Sequence, residues 1–307
     1  MKAVIYKKYG PPEVLQIKEI EKPTPKDNEI LIKIHATAVN SGDCRMRSFD
    51  VPPLLWIPSR IALGIFKPRK PVLGLVLSGE IEKVGRKIIK YKAGDQIYAT
   101  TMVGMKFGAY AQYVCLPENS LMYFKPSNLD YIQTVALLFG GISAIGFLRK
   151  AGIGKDMKVL IYGASGAVGT AAVQFAKYYG ADITGVCSNT NLELVKSLGA
   201  GKTIDYTKKD MAEIKERYDI VFDAVGKMPE TIAKSLLKPH GKYLSVIKGH
   251  IEPKVEDLKL INELAESGQY TAVIDKVYPL DEIVEAHRYV DKGHKRGNVI
   301  ISIKHDD

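Results

Sequence analysis

The sequence predicts an α/β protein: a small β-barrel domain followed by a doubly wound parallel sheet. Three observations carry this reading. From Met1 to about Tyr123 the chain runs in short alternating β segments broken by Pro, Gly and Asp-Asn turns. Lys158-Val159-Leu160-Ile161-Tyr162 then leads straight into Gly163, Gly166 and Gly169, with a helical pattern behind them. Beyond that turn, strand and helix signals alternate, which demands a parallel sheet with helices on both faces.

Taken in order, Met1–Tyr6, Val14–Ile20, Glu29–Ala38, Gly79–Val84, Asp95–Ala99 and Ala109–Leu116 read as the strands of a small, partly open barrel. Ser127 to Lys150 turns helical, as Leu129–Leu138 and Ile142–Lys150, and Gly152 and Gly154 end it. Strands follow at Val159–Tyr162, Ile183–Cys187, Thr203–Asp205, Ile220–Ala224 and Tyr243–Ile247. Helices are expected at Gly166–Tyr179, Thr190–Leu198, Met211–Arg217 and Pro229–Leu237. The tail gives a helix at Val255–Ser267, a strand at Val273–Tyr278, a helix at Leu280–Lys292 and a strand at Val299–Ile303.

The glycines have distinct physical tasks. Gly163 lets the chain turn sharply, Gly166 lets backbone N–H groups approach a pyrophosphate, and Gly169 lets helix and strand pack closely. Phosphate then sits on the unpaired N–H groups and positive dipole end of the helix. The spacing is G-x-x-G-x-x-G, with Ser165 inside the turn.

Composition narrows the function classes. With 307 residues, 46% hydrophobic and 25% charged, the chain has the make-up of a globular enzyme of one or two domains. Cys44, Cys115 and Cys187 are too few and too scattered for a disulfide framework or a four-cysteine zinc site, which points to a reducing, cytoplasmic setting. Met1–Tyr6 lacks the pattern of a signal peptide. No apolar run approaches the ~18 residues of a membrane span; the nearest, Val51 to Phe66, contains Pro52, Pro53, Pro58, Ser59 and Arg60. The net charge of +10 is spread along the chain, with no basic stripe interleaved with aromatics, so nucleic acid is not expected as a partner.

Several ordered motifs resemble the medium-chain dehydrogenase/reductase superfamily, in its zinc-independent quinone oxidoreductase and enoyl reductase branch. These are Val39-Asn40-Ser41-Gly42-Asp43 with Arg47, Pro71-Val72-Leu73-Gly74, Ser78 to Gly85, Tyr91 to Ile97, Gly108 to Val114, Leu198-Gly199-Ala200, Ile204-Asp205-Tyr206, Phe222 to Gly226, Ala286-His287-Arg288-Tyr289 and Gly297-Asn298-Val299-Ile300. The resemblance spans nearly the whole chain. It implies a GroES-like catalytic domain (1–125 with 272–307), a Rossmann NAD(P)-binding domain (126–271) and a cleft between them for the nicotinamide.

The resemblance also implies roles. It places Asn40 and Asp43 near the nicotinamide ribose and substrate as catalytic candidates. A purely structural alternative has Asn40 holding a turn and Asp43 capping a short helix. The cofactor would lie against Gly163, Ala164, Ser165, Gly166, Ala167 and Val168, with Ser143, Ser188, Asn189, Tyr206, Val225 and Asn298. Where the zinc-containing branch has its Cys and His ligands, this chain has Asn40 and Leu75. The histidines His35, His240, His250, His287, His294 and His305 form no spaced cluster, so no metal is expected. A carbonyl must then be polarised by hydrogen bonding alone, which suits small hydrophobic quinones or α,β-unsaturated carbonyls. The alternatives are an alcohol or aldehyde dehydrogenase-like enzyme and a non-catalytic NADPH-binding protein.

At the end of the second Rossmann strand, Cys187-Ser188-Asn189-Thr190-Asn191 contains no acid. An Asp or Glu there reads the ribose 2′-hydroxyl and repels a 2′-phosphate. Its absence favours NADPH over NADH, with Ser188 and Asn189 as donors and Tyr206 and Lys208 standing in for a basic residue that relatives carry at Asn191.

Three features depart from the family pattern. Gly74-Leu75-Val76 replaces a G-x-D motif. The run from Tyr243 to Pro253 is shorter than in relatives, which removes an edge strand that often pairs two subunits and leaves monomer and dimer both open. The apolar segment 51–66, with Arg60, Lys67, Arg69 and Lys70 and no acid, reads as a lid over a hydrophobic cleft; a patch for an anionic membrane surface is the rival.

Overall fold

A computed structural model of the chain describes residues 1–51 and 53–305; Pro52, part of the apolar segment above, lies outside the described residues, as do 306–307. The elements are β1 (Lys2–Tyr6), β2 (Leu15–Glu19), β3 (Glu29–Val39), α1 (Ser41–Ser48), α2 (Trp56–Leu63), β4 (Val76–Val84), β5 (Gln96–Thr100), β6 (Tyr113–Pro117), β7 (Met122–Phe124) and α3 (Tyr131–Ala151). There follow β8 (Lys158–Tyr162), α4 (Ala167–Tyr178), β9 (Asp182–Cys187), α5 (Leu192–Ser197), β10 (Lys202–Asp205), β11 (Tyr218–Asp223), α6 (Glu230–Ser235), β12 (Leu237–Ser245) and α7 (Val255–Glu266). The chain ends with β13 (Ile274–Pro279), α8 (Ile283–Asp291) and β14 (Asn298–Ser302). Two compact units result, Met1–Leu138 with Ile274–Asp307, and Phe139–Val273; the division falls inside α3.

The first unit is built on a seven-stranded sheet in the order β13-β14-β3-β4-β5-β7, with β6 also paired to β3, and a separate β1-β2 hairpin. All its pairings are antiparallel except β13 with β14. Ile30, Ile32 and Ile34 of β3 meet Leu77, Ile81 and Ile97 in a core sealed by Leu280, Ile283 and Val290 around α8. The period-two alternation of β3 dictates which side chains enter that core.

The second unit is a five-stranded, all-parallel sheet in the order β10-β9-β8-β11-β12. The order reverses between β8 and β11, and the carboxyl ends of strands at such a reversal are where nucleotides bind. Leu160, Val186 and Val221 are fully buried on these three central strands, as expected for a sheet covered on both faces.

Four expectations need correction. Met211–Arg217 is no helix: Asp210 accepts the Ala212 N–H at 2.9 Å, one 3-10 turn forms at Met211–Glu213, and Ile214 is already extended. The two helical runs 129–138 and 142–150 are one 21-residue helix, α3, because Gly140 and Gly141 permit close packing instead of a break. At 21 residues it is also long and apolar enough to cross a membrane, contrary to the expectation that no segment would be, yet most of it is buried, as in a core helix. Finally, β12 starts at Leu237, earlier than expected, across a register shift between Tyr218 and Ile220 of β11.

Candidate cofactor-binding and active site

The glycine turn joins β8 to α4. Gly163 has φ +77, and a Cβ there would stand 2.0 Å from Val225 Cγ2. At Gly169 a Cβ would meet the Gly163 carbonyl at 2.1 Å, so this glycine is what lets α4 press on the turn. Gly166, the N-cap of α4 with φ −79, is different: a Cβ would meet only the Gly163 carbonyl, at 3.6 Å. Among the described residues no other atom, its chain neighbours aside, comes within 4 Å of that position. The first N–H groups of the 12-residue α4 have no acceptor within the helix, so the turn forms an open cradle for an anion. These residues fit a dinucleotide pyrophosphate.

The cradle is closed on one side by α3. A Cβ at Gly140 would lie 2.3 Å from the Ala167 carbonyl, so α3 crosses the first turn of α4 at backbone distance. Ser143, three residues on and therefore on the same side of the helix, is buried there. On the other side, the buried Asn191 donates through Nδ2 to Ser165 Oγ at 3.3 Å and to Ser188 Oγ at 3.0 Å. Its Oδ1 is buried without a protein partner. Asn189 is exposed beside this cluster.

Asp223 at the end of β11 organises the opposite wall. Its buried carboxylate accepts the N–H groups of Val225 (3.1 Å), Gly226 (2.7 Å) and Met228 (2.9 Å), which fixes the loop carrying Val225. Tyr206 follows β10 and its ring lies 6.1 Å from that of Tyr162. The two tyrosines line a cavity of about 290 Å3 with Lys209, Met211, Met228 and Ile232. Asp205, one residue earlier, has its carboxyl held below the usual range, first by the Thr207 hydroxyl at 2.7 Å, with the Asn189 N–H a smaller contributor.

In the first unit, Asn40 and Asp43 form a capping box at the start of α1: Asp43 Oδ2 accepts the Asn40 N–H at 3.0 Å. Both are buried. Burial raises the Asp43 carboxyl from 3.8 to about 7, against the lowering exerted by Asn40, the Tyr110 hydroxyl and the Gly74 N–H. Asn40 Nδ2 is a buried donor without a protein acceptor. Antiparallel pairing of Val39 with Val299 brings Asn298 to the same strand end as Asn40. Nearby, Lys295 donates to the Gly297 carbonyl, and burial lowers its ammonium to about 8.

Arg47 joins α1 to α8. It donates to His287 Nδ1 at 2.9 Å, to Asp291 at 2.7 Å and to the Gly10 carbonyl at 3.1 Å. Because a guanidinium only donates, His287 must accept at Nδ1 and is neutral. Burial, with the Arg47 charge second, lowers its pKa to about 3. Among the described residues no group of three or more His, Cys, Asp or Glu is placed to hold a metal ion. Leu75 is a buried hydrocarbon side chain and Asn40 a helix cap, a donor set that does not fit zinc.

Of the residues singled out from sequence, the structure gathers Ser143, Gly163 to Val168, Ser188, Asn189, Tyr206 and Val225 in the second unit. It groups Asn40, Asp43 and Asn298 in the first. Sequence reasoning took position 191 only as one where a phosphate contact is lost, and missed both the bridge that Asn191 makes between Ser165 and Ser188 and the role of Asp223 as anchor of the Val225 loop.

Residues 26–126 match the alcohol dehydrogenase GroES-like domain and residues 167–275 match the zinc-binding dehydrogenase domain. Together with the anion cradle, these define a dehydrogenase/reductase with one GroES-like and one Rossmann domain. The chain is 33% identical over 98% of its length to a 2-methylene-furan-3-one reductase of Solanum lycopersicum, covering 79% of that protein. It is 31% identical, at the same coverages, to an NADPH-dependent alkenal/one oxidoreductase of Arabidopsis thaliana. The quinone oxidoreductase of Coxiella burnetii superposes with a TM-score of 0.88 at 25% identity, over 99% of both chains. This chain belongs to the medium-chain dehydrogenase/reductase family, in its quinone oxidoreductase and enoyl reductase branch.

Proposed function

We propose that the protein is a zinc-independent reductase that uses NADPH to reduce quinones or α,β-unsaturated carbonyls. The observation that carries the choice of cofactor is the Ser165–Asn191–Ser188 cluster beside an empty-sided Gly166: polar, neutral, and without an acid at the end of β9. The relatives that match across nearly the whole chain act on alkenals, enones and furanones by their names.

The bound reduced nicotinamide supplies a hydride. The α4 N-terminus holds the pyrophosphate, and Ser188 and Asn189 offer donors to a 2′-phosphate, Ser188 being oriented by Asn191, with Lys208 exposed on the next loop. Tyr162 and Tyr206 give an aromatic wall for the adenine. Asn40, whose buried Nδ2 has no protein acceptor, supplies the donor for the substrate or ribose oxygen, and Asp43 keeps Asn40 in place through the capping box. Buried donors aimed at a developing oxyanion stabilise it without reorganising. Solvent delivers the final proton.

The test is NADPH oxidation with a panel of quinones, enones and aldehydes. Turnover of quinones or enones with NADPH preferred over NADH is expected. Tight NADPH binding with no turnover would establish the non-catalytic alternative instead, and turnover of simple alcohols or aldehydes the dehydrogenase-like one.

A further inference from the structure

The segment around α2 reverses the usual arrangement of a surface helix. None of its eight residues is buried, although six of them are apolar or aromatic in character or small hydrocarbon groups. Among the described residues, six of the sixteen most exposed large apolar side chains fall between 55 and 66, including Ile57 (66% exposed) and Phe66 (92%). The polar side faces the protein. The Arg60 guanidinium stacks over Phe49 at 4.0 Å and over Trp56 and Tyr9 at 4.9 and 4.8 Å. Tyr9 donates to the Gly64 carbonyl at 3.3 Å, and the Arg69 N–H to the Leu63 carbonyl at 2.8 Å. This clamp holds Ile57 and Ile61, one turn apart, outward.

The segment itself carries charge of one sign. Lys67, Arg69 and Lys70 are exposed, and no Asp or Glu occurs from residue 51 to residue 79. A protein partner or second copy with an apolar face would leave these cations without complement. An anionic bilayer complements both features, taking the apolar side chains at the headgroup boundary and the cations at the phosphates. We propose that the face formed by Ile57, Ile61, Ile65 and Phe66, with Lys67, Arg69 and Lys70, docks the protein on an anionic lipid surface. The inference stands independently of the reductase reading.

Co-sedimentation with phosphatidylcholine vesicles, with and without phosphatidylserine, tests it. At physiological salt, binding to the anionic vesicles is expected at least ~10-fold above the neutral ones, falling as salt rises. Ile61→Asp/Phe66→Asp and Lys67→Glu/Arg69→Glu/Lys70→Glu should each reduce it about tenfold. These side chains are exposed, so the thermal midpoint should not move. Equal binding to both vesicle types, or unchanged binding by either variant, overturns the proposal. So does absence of vesicle binding combined with a raised KM for a soluble substrate in the apolar variant, which would make the segment a lid. A dimer in solution that the apolar variant dissociates would assign the face to a second copy instead.

Discussion

Asn191 Nδ2 bridges Ser165 Oγ in the glycine turn, at 3.3 Å, and Ser188 Oγ at the end of β9, at 3.0 Å. One amide thus couples the glycine turn to the end of β9, which in the proposed NADPH complex meet the pyrophosphate and the adenosine ribose. Because the bridge is neutral and the Asn191 Oδ1 has no protein partner, the position can be charged in either sense without breaking an ion pair.

Asn191→Asp is therefore the direct probe of cofactor choice. A carboxylate at this place repels a 2′-phosphate and accepts from a 2′-hydroxyl. The Kd for NADPH should rise at least ~10-fold, which corresponds to about 1.4 kcal/mol, while that for NADH stays level or falls. Fluorescence titration with both nucleotides measures it. If the two constants rise by the same factor, Asn191 only holds the loop and does not read the ribose.

The three glycines of the turn should respond differently to the same substitution. Gly166→Val meets free space and should leave folding intact while removing NADPH binding. Gly169→Val drives a side chain into the Gly163 carbonyl and Ala164, contacts of 2.1 and 2.7 Å already at Cβ, and should destabilise the second unit by several kcal/mol. Circular dichroism melts with nucleotide titrations separate the two. Retained NADPH affinity in Gly166→Val would refute the placing of the phosphates.

How much of this was legible beforehand follows from the range of each interaction. The glycine turn and β8, β9 and β10 were readable to within a residue or two, because turn geometry and strand periodicity are local. The Asn191–Ser165 contact spans 26 residues and exists only once β8 and β9 pair. The 211–217 helix failed for the opposite reason: the strand–helix alternation suggested it, but the Asp210 side chain offered the backbone a tighter turn. The stretch from Gly163 to Val168 could be read from local spacing alone, whereas Asp223 was noticed as part of a motif without its three loop hydrogen bonds being foreseeable.

Asp43 and His287 pull the pH dependence of stability in opposite directions. Asp43 is raised from 3.8 to about 7, so between these values the folded state holds a proton that the unfolded chain has released, and stability falls as pH rises. His287 is lowered from 6.5 to about 3, so in that window the unfolded chain holds the extra proton, and stability is lost as pH falls. Between about pH 4 and 6.5 the two slopes, each roughly 1.4 kcal/mol per pH unit, nearly cancel. Asp43→Asn removes one of them. Its stability should rise with pH more steeply than that of the unmodified protein, by about that slope, in urea unfolding across this range. His287→Asn should tilt the difference the other way. Parallel pH profiles for all three proteins would refute both assignments.

The outer edge of β12 argues for a monomer. No strand pairs with it among the described residues. Pro239 removes one N–H, His240 adopts φ +67, and the register against β11 jumps from Tyr218–Leu237 to Ile220–Lys242. A strand broken in these ways presents no continuous row of donors and acceptors to a second copy, which is how exposed edges are kept from pairing. Light scattering behind size exclusion should return a mass near 33.9 kDa at micromolar concentrations. A stable species of twice that mass, unchanged by the apolar variants of the α2 segment, would mean that β12 pairs across subunits despite its interruptions.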